Sequence, residues 1–247
     1  MNSSEITKQS QTISLGQREL VDRFITTYNA IDHYLRGFVK GDKVGFRVIV
    51  QKCVELGYVR SVDAQALVTF ANLRNVLVHE PLQARCYPAI PTIFTVEEFE
   101  RLRETLLRPE RVVPRYVKAV EVISISDSLA NVLRIISKRD YSQFPVYDDQ
   151  VFKGLLTENG ITGWLAHHIN RKRAQPDLDE AQVRHELKEE EHKRINFRFI
   201  SSHTTITQLK SLFAKHELLE AVLITPNGKN GETLLGIVTR WDIVQLA

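Results

Sequence analysis

Residues 205–243 read TITQLKSLFAKHELLEAVLITPNGKNGETLLGIVTRWDI, and residues 128–161 read SLANVLRIISKRDYSQFPVYDDQVFKGLLTENGI. Both segments contain an amphipathic helix, two strands, a glycine and a threonine in the same order. Leu129 aligns with Ile206, and their offset stays constant until PNGKNG, where a hairpin loop takes extra residues at little entropic cost. The repeat predicts two copies of one β-α-β-β-α unit stacked on each other.

The region around each copy extends this pattern. Residues 120–124 alternate like a first strand, and a turn at Asp148 and Asp149 joins the next two strands. The stretch AQPDLDEAQVRHELKEEEHKRIN between the copies is predicted as a solvated connecting helix, because its charges are so dense. His185 and His192 share one face of it, but two histidines among many charged side chains are a weak metal signal. We predict no metal site.

The N-terminal half has a helical pattern without a strand signal. Apolar residues recur at three- and four-residue steps between Leu20 and Phe38, which predicts the first helix. Gly57 is predicted to end a second helix in the left-handed conformation. Ser61 is predicted as the N-cap of a third helix, and a fourth helix is predicted to begin at Thr95. We expect a disordered start over residues 1–15 and an all-α bundle over residues 16–109, in a two-domain α+β protein.

Composition limits the class of protein. Hydrophobic residues make up 43% and charged residues 26% of the 247, as in ordinary core-forming domains. The net charge of +3, from 33 basic and 30 acidic residues, is too balanced to indicate a duplex nucleic-acid binder. The sequence shows no membrane span or signal-peptide core, and Cys53 and Cys86 have no metal-ligand spacing. We expect a cytoplasmic protein in which Cys53 is a buried structural thiol.

The end of each repeat carries a recognisable motif. GIVTRWDI (236–243) resembles the closing motif of a CBS domain, which is a Gly, two apolar strand residues, a Thr or Ser, two variable residues and an Asp. GLLTENGI (154–161) resembles it in the first copy. The resemblance covers about residues 112–247, with copies over 112–170 and 197–247 and a charged linker over 171–196. It implies a Bateman module, a pseudo-twofold disc whose clefts bind adenine nucleotides in many members.

The motif residues suit that ligand chemically. Thr239 offers a hydroxyl beside backbone N–H groups for a phosphate, and ionised Asp242 can accept two hydrogen bonds from a ribose diol. Arg240 could add a charge-assisted phosphate contact. The first copy keeps Thr157 but has Gly160 in place of the Asp, so we expect one competent and one degraded cleft. AMP, ATP, a cyclic dinucleotide or an adenosine cofactor would all suit it. Alternatively, Asp242 only caps the last helix.

A second motif, RNVLVH (74–79), ends the third predicted helix. It resembles the Arg-Asn…His pattern of HEPN domains, helical bundles that are often metal-independent ribonucleases, and this resemblance covers about residues 18–108. Such cleavage needs a general acid or base near neutrality, which His79 supplies, and a cation against the developing phosphorane charge, which Arg74 supplies. Asn75 and His79 share a face, whereas Arg74 must reach around it or act across a dimer. The family's symmetric dimers imply a homodimer.

These observations lead to competing hypotheses. The first is an adenine-nucleotide-sensing CBS pair that regulates a HEPN-type endoribonuclease with RNA as substrate and no required cofactor. The second is a non-enzymatic ligand sensor whose bundle serves dimerisation or partner docking. In that case Arg74 and His79 are satisfied internally, with Asp32, Glu55 or Glu80 as possible partners. The third is an inert interaction scaffold without a ligand.

Overall fold

A computed structural model describes residues 14–39, 44–79, 87–139, 141–172, 176–190 and 196–245. The chain divides into two compact units, residues 1–110 and residues 111–247. The predicted disordered start lies outside the described residues except for Ser14 and Leu15, which begin the first helix.

The described part of the first unit is helical throughout, as predicted. Its elements are α1 (Leu15–Arg36), α2 (Phe46–Glu55), α3 (Ser61–His79) and α4 (Ile93–Leu107). Ser14 is the N-cap of α1. Its hydroxyl accepts a hydrogen bond from the Gln17 backbone amide, and its own backbone amide donates to the Gln17 side chain. Phe24, Phe70 and Phe99 contact one another at ring-centroid distances of 4.3–6.0 Å and form the centre of the core.

Two helix starts differ from the sequence prediction. Ser61 is the first residue of α3 and not its cap, and Arg60 makes a bidentate ion pair with Asp63 at 2.6 and 2.8 Å. The α4 helix begins earlier than predicted because Thr92 is its N-cap and accepts from the Thr95 amide at 3.2 Å. Gly57 has φ +76°, as predicted for the end of α2.

The second unit contains the predicted repeat. Its first copy consists of β1 (Ile123–Ser124), α6 (Leu129–Arg139), β2 (Gln143–Asp148), β3 (Val151–Thr157) and α7 (Glu158–Lys172), after the short α5 (Val112–Arg115). Its second copy consists of β4 (Phe197–Ser201), α9 (Ile206–Lys215), β5 (Ala221–Thr225), β6 (Gly236–Thr239) and α10 (Arg240–Val244), after α8 (Val183–Glu190). In both copies the first strand pairs with the second in parallel and the second with the third in antiparallel.

The two sheets share one hydrophobic core. Phe152 and Leu155 of β3 pack with Leu223 of β5 and Ile237 of β6, and all four are buried. Phe152 also contacts the rings of β4 edge-on. Stacked copies of one unit are what the repeat predicted.

The segment before each copy binds to the other copy, next to the start of that copy's first helix. The Val112 amide donates to the Thr204 carbonyl at 2.9 Å, and the Val183 amide donates to the Asp127 carbonyl at 3.0 Å. The prediction of a solvated linker is therefore wrong for its described part. Val183 and Leu187 are buried in the core of the first copy, because an apolar stripe runs through the charged sequence.

Candidate functional site

A cleft of about 290 Å³ opens between the two CBS-like copies of the second unit. Three stretches of chain line it: residues 118–121 before β1, residues 141–143 at the start of β2, and the turn from β6 into α10. The last stretch supplies Ile237, Thr239, Trp241 and Asp242. Two of the predicted ligand-binding residues, Thr239 and Asp242, therefore lie in one cleft.

Gly236 allows the chain before β1 to reach this cleft. A Cβ atom at Gly236 would overlap the Tyr116 carbonyl oxygen. Two residues later, the Lys118 amide donates to the Leu235 carbonyl at 3.2 Å. The glycine of the motif thus lets one backbone segment lie directly against β6, and this contact brings Lys118 and Glu121 to the cleft.

Asp242 has one carboxylate oxygen engaged and one available. Its Oδ2 accepts from the Thr239 amide at 2.7 Å and from the Thr239 hydroxyl at 2.9 Å. This is the helix cap that the alternative interpretation predicted. Among the described residues, no partner is found for Asp242 Oδ1. Capping and ligand binding are thus compatible, because each uses a different oxygen.

Arg240 points to protein and not to a ligand. Its Nη2 donates to the carbonyls of His216, Glu217 and Leu219 at 2.8, 2.9 and 3.1 Å, and its guanidinium lies over the Phe213 ring at 5.6 Å. These carbonyls follow the end of α9, where a cation is favoured. The predicted phosphate contact by Arg240 is not what this structure shows, because the side chain already closes the end of a helix.

The first copy ends its third strand differently. Thr157 is only 1% exposed, and its hydroxyl accepts from the Gly160 amide at 3.0 Å. This bond caps α7, and residue 160 is a glycine and not an aspartate. Thr157 was predicted to contact ligand, but the structure places its hydroxyl inside the protein.

Four charged or aromatic residues that line the cleft were not predicted from the sequence. Trp241 and Tyr141 are 69% and 46% exposed although both rings are large, and Lys118 and Glu121 lie in the segment held against Gly236. Trp241 occupies a variable position of the motif, so the motif contains it without assigning it a role. The other three come from a segment and a strand start with no motif, and only the tertiary fold brings them to Asp242.

The N-terminal motif lies at the end of α3. Arg74 is half-buried, and its guanidinium carbon lies 5.2 Å from the centroid of the Tyr28 ring. Its Nη1 lies 3.5 Å from Oδ1 of the exposed Asn75. His79 is the last residue of α3, and its side chain is outside the described residues, as is Glu80. The structure thus brings Arg74 and Asn75 together at the helix surface.

Arg74 lies against Tyr28, which was not among its predicted partners. Asp32, a proposed carboxylate partner, pairs with Arg36 at 2.8 Å. Burial raises the pKa of the Tyr28 phenol, the Asp32 carboxylate raises it further, and the nearby Arg74 cation lowers it. Within its own bundle Arg74 makes a cation–π contact with Tyr28.

Comparison with known proteins agrees with this geometry. The family model for the CBS domain matches residues 116–167 and 192–247. The C-terminal half is therefore a pair of CBS domains, as the motifs indicated. The helical first unit and the CBS pair together give the α+β class that the sequence predicted.

Solved structures with CBS domains resemble the chain at low sequence identity. The conserved CBS domain protein TA0289 of Thermoplasma acidophilum is 18% identical, with 56% of this chain and 70% of that chain covered and a TM-score of 0.43. The CBS domains of a transcriptional regulator from Streptococcus pneumoniae are 19% identical, with 50% and 86% covered and a TM-score of 0.36. CBSX2 in complex with AMP is 14% identical, with 51% and 86% covered and a TM-score of 0.38.

No curated protein sequence matches the chain significantly. Within the described ranges, no helix is both long and apolar enough to cross a membrane.

Proposed function

We propose that the CBS pair is a sensor that binds one adenine nucleotide in the cleft at Asp242. The observation that carries this proposal is the unpaired Asp242 Oδ1, among the described residues, in a cleft that aromatic rings also line. A carboxylate oxygen suits a ribose hydroxyl, and Trp241 and Tyr141 offer π-faces to a purine. The AMP complex of CBSX2 supports the choice of ligand class.

Each part of the ligand has a counterpart in the cleft. The ribose diol donates to Asp242, which stays fixed because its other oxygen is held by Thr239. The base stacks on an exposed aromatic ring, a contact worth about 1–3 kcal/mol per base. The phosphate pairs with Lys118, the cation among the described lining residues. Thr157 and Arg240 are left out of this ligand set because both are engaged elsewhere.

The regulatory role follows from where the cleft lies. A ligand that contacts both copies stabilises the arrangement of the pair that it fits, and it shifts the population accordingly. A coupling of about 1–3 kcal/mol is typical of such switches. We propose that the N-terminal bundle receives this signal, in a homodimer.

Isothermal titration calorimetry with AMP tests the binding site. Asp242→Asn keeps the shape of the side chain and an acceptor for the Thr239 amide but removes the charge, so we expect at least tenfold weaker AMP binding, which is about 1.4 kcal/mol. Asp149→Asn is the matched control. Asp149 is exposed with φ +54° in the β2–β3 turn, where Asn is also tolerated. Equal AMP affinity in both variants and wild type would overturn the site.

A second candidate function is a metal-independent endoribonuclease of HEPN type. It is favoured by the adjacent Arg74 and Asn75 on the surface of the helix that ends at His79. We expect cleavage of single-stranded RNA in EDTA, with 2′,3′-cyclic phosphate ends, and loss of cleavage in His79→Ala. Asn29→Ala, an exposed change on α1, is the control for contaminating nuclease.

The non-enzymatic alternative gives the opposite outcome. If wild type and His79→Ala show equal background with and without AMP, the bundle is a dimerisation or docking platform. Unchanged cleavage in His79→Ala above a clean buffer blank likewise assigns the activity to a contaminant. The cation–π contact of Arg74 with Tyr28 is the observation that favours this alternative.

A further inference from the structure

The charges that line the cleft are unusual for a site that receives phosphate. Among the described lining residues, Lys118 is the cation, whereas Glu121 and Asp242 are both carboxylates. The formal sum is therefore −1. Arg240, two residues before Asp242, donates its hydrogen bonds to the carbonyls after α9. A phosphate chain that enters this cleft meets more negative than positive charge.

Glu121 lines the cleft without a protein partner among the described residues. No described residue forms an ion pair or a hydrogen bond with its carboxylate, and its side chain is half-exposed. It lies three residues after Lys118, in the backbone segment that packs against β6 at Gly236. Lys118 and Glu121 are thus brought to the cleft by one backbone contact, and they act on a bound phosphate with opposite sign.

The cleft is small enough for each of these charges to act on the whole ligand. A sphere of 290 Å³ is about 8 Å across, which equals the Debye length of about 8 Å at physiological ionic strength. Its volume also lies at the lower limit of about 300–1,000 Å³ for small-molecule sites. One nucleoside or mononucleotide fits this volume, whereas a dinucleotide exceeds it.

We infer that the cleft selects its adenosine ligand by charge, with Glu121 as the residue that disfavours polyphosphates and Lys118 as the one that accepts a single phosphate. This inference rests on the proposed function. The ligand class is an adenosine compound with at most one phosphate, or one whose 5′ substituent carries its own cation. Two unit charges 8 Å apart change affinity about twofold in bulk water and more in a partly dry cleft. The two added charges of ATP therefore weaken its binding about five- to thirtyfold relative to AMP.

Calorimetry with adenosine, AMP, ADP and ATP tests this selection. The titrations contain EDTA, because Mg²⁺ would neutralise the added phosphates, and they are run at low and at physiological salt. We expect AMP to bind more tightly than ADP, and ADP more tightly than ATP. The differences should grow at low salt, because screening falls.

Charge variants assign the effect to residues. Glu121→Gln should raise ATP affinity at least twofold while AMP changes less, and Glu121→Lys should remove the preference for AMP. Lys118→Gln should weaken AMP but leave adenosine unchanged. Glu180→Gln, an exposed carboxylate in the turn before α8, is the matched control and should behave as wild type.

The outcomes separate the two levels of the proposal. If no adenosine compound binds, the proposed function is wrong. If AMP binds at the Asp242 site but ATP binds as tightly or more tightly without metal, the function stands and selection by charge is overturned. A preference for AMP that Glu121→Lys leaves intact also overturns it, because the origin would then be shape.

Discussion

Replacing Arg240 with alanine distinguishes a structural arginine from a ligand-binding one. The Nη2 atom donates to three carbonyls at 2.8–3.1 Å, so the substitution leaves those oxygens without a protein donor. It also removes the guanidinium from the face of Phe213. We therefore expect Arg240→Ala to lower the stability of the CBS pair and to leave AMP affinity within about twofold of wild type.

The size of the loss follows from these contacts. Hydrogen bonds to a charged group contribute about 1.5–3 kcal/mol when buried. Here one nitrogen serves all three oxygens at a largely exposed site, so water replaces part of what is lost. A cation at a helix end contributes about 0.3–1 kcal/mol. We expect a decrease of about 1–2 kcal/mol in the free energy of unfolding, and about 3–8 °C in Tm.

Tryptophan fluorescence during urea unfolding is a suitable assay. The chain has two tryptophans, Trp164 and Trp241, and both lie in the second unit, so the signal reports the CBS pair and not the bundle. Arg198→Ala, an exposed arginine on β4, is the control and should change stability by less than about 0.5 kcal/mol. Arg240→Lys should recover only part of the loss, since an ammonium cannot present the same planar donor.

The opposite pattern would refute this reasoning. If Arg240→Ala unfolds at the same urea concentration as wild type but binds AMP more than tenfold more weakly, the guanidinium leaves α9 and serves the phosphate. The sequence prediction would then be right about this residue. Loss of both properties would indicate that the end of α9 must be closed for the cleft to form.

Three further predictions follow from contacts in the structure. Gly236→Ala should destabilise the CBS pair by several kcal/mol in urea unfolding, since its Cβ would overlap the Tyr116 carbonyl. Gly154→Ala should destabilise it less, because only the flexible Leu187 side chain is close to the new Cβ. Gly163→Ala should be neutral or stabilising, because the new Cβ meets open space on a helix. Hydrogen bonds from the Asn227 amide and side chain lower the pKa of Glu232 to about 2, so its contribution to stability is complete above the unfolded value of 4.5 and is lost as the pH falls toward 2; an NMR titration that finds Glu232 at an ordinary pKa would contradict this. Burial raises the pKa of the Cys53 thiol to about 11. In a Cys86→Ser background the native protein should therefore react with a thiol reagent at pH 8 only as fast as local unfolding exposes Cys53. Rapid stoichiometric labelling would count against a buried Cys53.

The fold could be predicted from sequence where its periodicity is local. The repeat, the turn at Asp149 and the helical first half all follow from residues within about ten positions of each other. The buried role of α8 could not, because density of charge hides Val183 and Leu187, which contact a core that sequence spacing does not reveal. The start of α4 moved because Thr92 and Thr95 compete as its cap, whereas at α3 Ser61 is the first helical residue and not the cap.

The site could be predicted in part, for a related reason. Thr239 and Asp242 belong to a continuous motif and lie where that motif implies. Arg240 belongs to the same motif, yet the direction of its side chain depends on the carbonyls that follow α9, more than twenty residues earlier in sequence. Glu121 and Lys118 have no motif, since their place in the cleft results from the contact of Tyr116 with Gly236.

A comparison of the two copies supports the proposed role of Asp242. In the first copy, Thr157 caps the following helix through its own hydroxyl, with a glycine at the position of the aspartate. The strand-to-helix turn thus forms without a carboxylate at residue 160, and a helix of 15 residues follows it. An aspartate is therefore not needed for this turn to fold. In the second copy the carboxylate lines a cleft, and its Oδ1 has no partner among the described residues. Local folding leaves this oxygen unexplained, whereas the proposed ribose contact accounts for it.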